Sequence, residues 1–348
     1  MDTIGIIEQL VNTPSPSGFE KDTQSVVSKI ISPYVDEVME DILGNLICKR
    51  YAKTANDAKT IMLMAHIDEI GMMITYVEPS GFIRFNKLGG VDPQLLQGHS
   101  VTILHEGNSV KGVIGSLPIH IKNIKNKDMQ KNVPDISDMW IDIGAASREE
   151  ALRKVQIGDP IVVDSDINAL SGNVISSRAC DNKAGVTALL LAAQMLNDKE
   201  ITNKVVFVTS VQEEIGTRGA IVASYNIHPD VCIAIDVTHA TDYPSVPKSK
   251  YGEVNIGGGA AIPVGSDLSV YVQHILIELA VGNDIPFQRF ALPGSSGTDA
   301  HAAEVSRAGC LTGLVSIPCR YMHTPVECIS AKDVISTAEL LAAFCEKW

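Results

Sequence analysis

Aromatic side chains are scarce: Phe, Tyr and Trp make up 5% of the 348 residues, and the only tryptophans are Trp140 and Trp348. A cleft that stacks sugar rings needs aromatic faces, so a carbohydrate-binding groove is disfavoured. Basic charge is also short. Lys and Arg number 28 against 41 Asp and Glu, a formal net charge of −13, and no long Lys/Arg cluster occurs. Phosphate backbones and anionic membrane surfaces need a basic patch, so both are disfavoured as partners. Long apolar runs are missing. The longest, around Ala188 to Leu196, is broken by Gln194 and is too short to span a bilayer. Paired cysteines are missing too: seven are scattered, an odd number with no CxxC, which reads as reduced thiols of a cytoplasmic protein. The opening MDTIGIIEQL is acidic and amphipathic, which is not the pattern of a signal peptide. There is no internal repeat and no low-complexity linker.

What is present is a soluble globular composition, 45% hydrophobic, in a chain long enough for one large domain or two. Its centre is Lys204 to Thr217, KVVFVTSVQEEIGT. The apolar, β-branched run reads as a fully buried strand of a parallel sheet. It ends in adjacent carboxylates, Glu213 and Glu214, at the strand end where open α/β sheets place their sites.

Around it the pattern alternates. Asp2 to Val11 and Glu20 to Ile31 have helical periodicity, with a turn cluster, TPSPSG, at Thr13 to Gly18 between them. Val38 to Cys48 reads as a hairpin, and Ile61 to Ala65 as a buried strand running into His66-Ile67-Asp68-Glu69. From Met72 to Val163 the texture becomes short alternating strands, a β-rich insert forming a small barrel or sandwich. Ser147 and Glu150 make a capping-box pattern there. The polar stretch Lys122 to Pro134 reads as a mobile loop. From Ser176 the α/β texture returns. Helical runs are expected at Ala184 to Leu196, Arg218 to Tyr225, Leu268 to Val281, Ala300 to Ala308 and Lys332 to Lys347. Strands are expected at Val231 to Ile235, Phe287 to Ala291 and Leu311 to Ile317.

Five ligand-type residues follow or adjoin these elements: His66, Asp181, Glu214, Asp236 and His323. Each alone has an ordinary reading. A His after a strand is often simply a satisfied, partly buried side chain, an Asp before a helix is often its N-cap, and a Glu pair is usually surface charge. Together they are two imidazoles and three carboxylates, a set suited to zinc, cobalt or manganese. Five are too many for one open catalytic zinc but suit two ions about 3.5–4 Å apart with a bridging carboxylate.

The motifs AHIDEIG, ACDNKAG, VQEEIGTRG, AIDVTHA, GSSGTDA and SIPCRYMHTP, in this order, resemble the TET-type (tetrahedral) di-metal aminopeptidases, a family of glutamyl-, leucyl- and lysyl-aminopeptidases in which some relatives carry an endoglucanase label. The resemblance covers essentially the whole chain. It implies an α/β, mixed-sheet zinc-peptidase domain (phosphorylase/hydrolase-like) over 1–70 and 165–348, interrupted by a PDZ-like β-barrel over 71–164 that makes dimers. It further implies two divalent ions per subunit, Zn2+ first, with Co2+ or Mn2+ as alternatives. His66 and Asp236 would hold one ion, Glu214 and His323 the other, and Asp181 would bridge them. Asp68 would orient His66, and Glu213 would be the general base acting on a water between the ions. Short peptides would be the substrates, and dimers would assemble into a tetrahedral dodecamer.

Smaller features are open. Thr298 and Asp299 resemble the family's segment near the substrate amine, and a helix cap explains them equally. His301, His120 and Cys180 have no role readable from the chain. The rival activities are a di-zinc deacylase or carboxypeptidase acting on N-acyl amino acids, and an endo-1,4-β-glucanase. The latter needs carboxyls about 5 Å or more apart across a sugar, leaves the His and Asp residues unexplained, and lacks aromatics. A non-catalytic metal-binding scaffold is a further rival, which an intact Glu213 argues against.

Overall fold

A computed structural model describes residues 2–52, 58–118, 120 and 135–348. The chain divides into two compact units. One comprises Met1–Glu69, Ile167–Met322 and Val326–Trp348, and the other Ile70–Asp166 with His323–Pro325. The stretch Lys122 to Pro134, read above as a loop, lies outside the described residues.

The first unit is built on an eleven-stranded mixed sheet. Its main path runs β1 (Glu37–Glu40), β2 (Leu46–Arg50), β12 (Lys204–Ser210), β3 (Thr60–His66), β13 (Val231–His239), β16 (Leu311–Arg320), β17 (Glu327–Ser330), β11 (Val174–Ser177) and β10 (Asn168–Ala169). β14 (Ala260–Gly265) pairs with β16 and with β15 (Phe287–Leu292). The four central strands β12, β3, β13 and β16 are parallel. Parallel strands are covered on both faces, which is why these read as unbroken apolar runs. Successive side chains alternate between faces. Ile61, Leu63 and Ala65 join the large core with the helices Thr3–Val11, Cys180–Met195 and Ala331–Lys347. Met62 and Met64 join a smaller core with the helix Arg218–Ile227.

Register decides where the site falls. His66 on β3 stands opposite Ser210 on β12. Ala234 on β13 stands opposite Met64, so Asp236, two residues on, comes level with His66. The carboxyl ends of the three strands therefore share one edge. β13 and β16 run further than their apolar patterns, pairing as far as His239 and Cys319. His66 and Asp236 accordingly lie within strands rather than just past them.

The second unit is a closed barrel in the order β4 (Gly71–Val77), β5 (Ile83–Leu88), β8 (Ile141–Asp142), β7 (Asn108–Ile114), β6 (Ser100–His105) and β9 (Pro160–Val163). Closure removes unpaired edges. Its own core includes Met72, Ile83, Phe85, Val101, Ile141 and Ile161. The short helix Arg148–Leu152 is capped by the Ser147 hydroxyl, while Glu150 accepts from Ala146 N, one residue before the cap.

Candidate active site

His66, Asp181 and Glu214 each bring one ligand atom to within 4.8 Å of the others. His66 Nε2 lies 3.2 Å from Asp181 Oδ1 and 3.5 Å from Asp236 Oδ1. Its Nδ1 lies 3.1 Å from the Asp68 carbonyl and 3.6 Å from the Asp68 carboxylate. A carbonyl only accepts, so Nδ1 carries a hydrogen and Nε2 is the face turned to the carboxylates. The nearer orienting group for His66 is thus the Asp68 backbone oxygen.

The Asp68 carboxylate, fully buried, has other partners. Oδ1 accepts Glu213 N at 2.9 Å, and Oδ2 accepts Glu214 N at 3.1 Å and the Ser17 hydroxyl at 2.6 Å. It holds the turn on which both glutamates stand. Burial opposes its charge, but His66, Ser17 and the Glu213 amide hold it below the usual carboxylate range.

Asp181 precedes the body of a helix, as expected of ACDNKAG, but its own backbone is non-helical. Ala179, two residues earlier, takes a left-handed φ of 58°. Asp181 N donates to Glu327 Oε2 at 2.9 Å. The buried Asn182 amide donates to the Ile235 carbonyl at 2.8 Å and accepts Gly185 N at 3.0 Å. A Cβ on Gly185 would come within 2.2 Å of that Asn182 oxygen, so glycine is required there.

Glu327 was not singled out in the sequence, where it opens the short run ECIS. Its one signal is an acid just beyond the RYMHTP motif. Asp299 is better resolved by the structure than by pattern. Thr298 is the helix cap, its hydroxyl accepting Ala300 N. Asp299 turns inward instead and accepts the Ser210 hydroxyl. Its Oδ1 is buried with no hydrogen-bond partner among the described residues.

The electrostatics are those of a site short of positive charge. Burial pushes Glu213 up to about 10, against the attraction of His66. Burial likewise raises Asp236 and takes Asp299 up to about 7. Burial works against charge on His66, yet Asp181, Asp236 and Asp68 hold its pKa well above the ordinary value. Crowded carboxylates facing an imidazole nitrogen are the donor set of a transition-metal site, and bound cations reverse such pKa displacements. The residues fit a metal.

His323 stands in the second unit, with a left-handed φ of 61° and its Nδ1 3.1 Å from the Gly90 carbonyl. His120 is exposed. His301 falls within 4.8 Å of Asp267 and Glu304 ligand atoms, but it is exposed, and exposed acidic groups commonly lack an ion. Cys180 is buried, and burial beside Glu327 drives its thiol far from the thiolate, the condition of an inert cysteine. All seven cysteines are free. Among the described residues, no helix is long and apolar enough to cross a membrane.

Residues 44–340 match the M42 glutamyl aminopeptidase family. A putative aminopeptidase of Acetivibrio thermocellus is 38% identical over 349 residues, 99% of each chain. Among solved structures, an aminopeptidase from the archaeon Desulfurococcus kamchatkensis is 34% identical with a TM-score of 0.92, over 99% of this chain and 95% of its own. The Pyrococcus horikoshii TET1 peptidase, described as able to assemble into a tetrahedron or a large octahedral shell, is 31% identical with a TM-score of 0.88 over 100% of both chains. With a match of this extent over a site of this construction, the chain belongs to the M42 family of TET-type aminopeptidases and is a peptide-bond hydrolase.

Proposed function

We propose that the protein is a metal-dependent aminopeptidase that removes N-terminal residues from short peptides. The observation that carries this is the level edge of β3, β12 and β13, where His66, Asp181, Asp236 and Glu214 converge while Asp68 fixes the amides of Glu213 and Glu214. His66 and Asp236 would hold one divalent ion, Glu214 a second, and Asp181 both, with zinc first and cobalt or manganese as alternatives. Such ions, when bound, supply the charge that brings a water toward a neutral pKa and polarises the scissile carbonyl. Glu213 takes the proton of the attacking water and returns it to the departing amine. Asp68 keeps Glu213 in place through the backbone, leaving the Glu213 carboxylate free for that transfer. The same reading takes 1–70 and 165–348 as the catalytic domain and 71–164 as a barrel that joins subunits, although His323–Pro325 group with the barrel. A cytoplasmic location suits the reduced cysteines.

The test is hydrolysis of aminoacyl-p-nitroanilides, free and N-acetylated, after chelation and after adding back zinc, cobalt or manganese. Metal-dependent release from free-amine substrates alone is the expected result, and the panel would name the preferred side chain. Silence on every free-amine substrate with each metal, together with cleavage of N-acyl amino acids, would replace the reading with a deacylase.

A further inference from the structure

Among the described residues the turn that carries Glu213 and Glu214 pairs with no strand; its carbonyls accept the amides of Gly216 to Gly219. Four consecutive amides leave the end of β12, and all four donate to side chains. Val211 N donates to Asn45 Oδ1 at 3.0 Å, Gln212 N to Glu20 Oε1 at 3.1 Å, and Glu213 N and Glu214 N to the Asp68 carboxylate. Gln212 sits at a left-handed φ of 57°. A non-glycine residue in that region persists only where its surroundings hold it.

Two of the restraints come from the segment between the first two helices. Ser15 to Ser17 lies along Ile67 to Glu69. Ser15 N and its hydroxyl donate to Glu69 Oε1 and the Ile67 carbonyl, Glu69 N donates to the Ser15 carbonyl, and Ser17 N to the Glu69 carbonyl. This fixes Ser17, whose hydroxyl donates to the same Asp68 oxygen that receives Glu214 N. Gly18 N donates to Glu20 Oε1 at 2.7 Å, the atom that also accepts Gln212 N. Ser17 is 2% and Glu20 5% exposed, so neither finds a substitute in water.

We propose that Ser17 and Glu20 are positioning residues for the turn Gln212–Glu214, acting on the reaction through the Asp68 carboxylate and the turn backbone rather than by touching the substrate. The catalytic part of this rests on the aminopeptidase reading; the mechanical part does not. Ser17 stops the Asp68 carboxylate from rotating, so that each oxygen meets one amide. Glu20 pins the residue immediately before the base. A Glu213 carboxylate displaced by about 1 Å loses on the order of 100-fold in rate without any change in what binds the substrate.

The variants are Ser17→Ala, Glu20→Ala and Glu20→Gln, the last keeping an amide-accepting oxygen in the same place. Hydrogen exchange at the amides of residues 212–214 is measured with metal content, kcat and KM. Ser17→Ala is expected to speed exchange at Glu213 and Glu214, and Glu20→Ala at Gln212, by tenfold or more, with β3 and β13 amides unchanged; activity is compared at saturating metal, because Glu214 stands on the same turn. The same two variants should lose at least tenfold in kcat with KM within about twofold, and Glu20→Gln should restore both readouts. Unchanged exchange in the alanine variants overturns the proposal, as does faster exchange with full kcat. A wild-type protein that cleaves no free-amine peptide defeats the aminopeptidase reading, while exchange at 212–214 still decides whether these residues hold the turn.

Discussion

At the scale of single residues, the reading turns on Glu213. Its backbone N–H is held by Asp68, and its carboxyl is not what keeps the turn in place. Glu213→Gln should therefore fold normally and keep its metals, because the ligand-type residues are untouched. Turnover should fall by roughly 10²–10⁴, the usual worth of a positioned acid–base group. Metal content by elemental analysis beside kcat separates the two effects, and near-wild-type turnover would remove Glu213 from its role. His66, Asp181, Glu214 and Asp236 were legible in the sequence because each interrupts or ends an apolar or helical pattern with a ligand-type side chain. Glu327 was not, and Asp299 stood out only through the family resemblance. Glu327 meets Asp181 N across 146 residues of chain, and Asp299 stands where a cap is the ordinary explanation. Ser17 and Glu20 read as a turn residue and a helix start, since the groups they hold lie 51 and 192 residues away.

At the scale of elements, the closing helix Ala331–Lys347 does more than cover the core. Its first turn carries Asp333, buried, whose two carboxylate oxygens accept Gly257 N at 2.6 Å and Gly259 N at 2.8 Å. The helix thereby fixes the loop that leads into β14. Burial outweighs those two bonds and raises Asp333 from 3.8 to about 6. A carboxyl with a raised folded pKa binds its proton more tightly in the folded state. Its contribution to stability is therefore full below the unfolded value and is lost as pH rises through about 6. Against an Asp333→Ala variant, the wild-type advantage should be larger at pH 4 than at pH 7, by at most on the order of 3 kcal/mol. Urea unfolding of both proteins at the two pH values measures this, and an advantage that grows with pH would show that the charged form is the favoured one. This loop was the least legible part of the fold. The run GGGAAIPVG suggests no strand, yet β14 forms because β15 and β16 offer it partners. The helix expected over Ala300 to Ala308 stops at Glu304, and Arg307 takes a left-handed φ of 53°. By contrast β3, β12 and the six barrel strands appear close to where period and turn signals put them, because there local pattern and tertiary pairing agree.

For the whole molecule, assembly and substrate size are a single question. In a chain of 37.3 kDa, a site at the carboxyl ends of β3, β12 and β13 does not by itself say whether folded proteins with free N-termini are spared. If the subunits close into the tetrahedral dodecamer that the family resemblance implies, access is limited by the shell rather than by the site. Two results then have to occur together. Light scattering should give a mass near twelve chains, and the assembled enzyme should trim short unfolded peptides while leaving a folded protein with the same N-terminal residue intact. Dissociating the particle by dilution or chelation, then restoring metal, separates the two causes. If the smaller species still ignores the folded protein, selectivity belongs to the site. If it attacks that protein, the shell is the filter. A mass of one or two chains under every condition would leave the reading of the site untouched and remove the assembly.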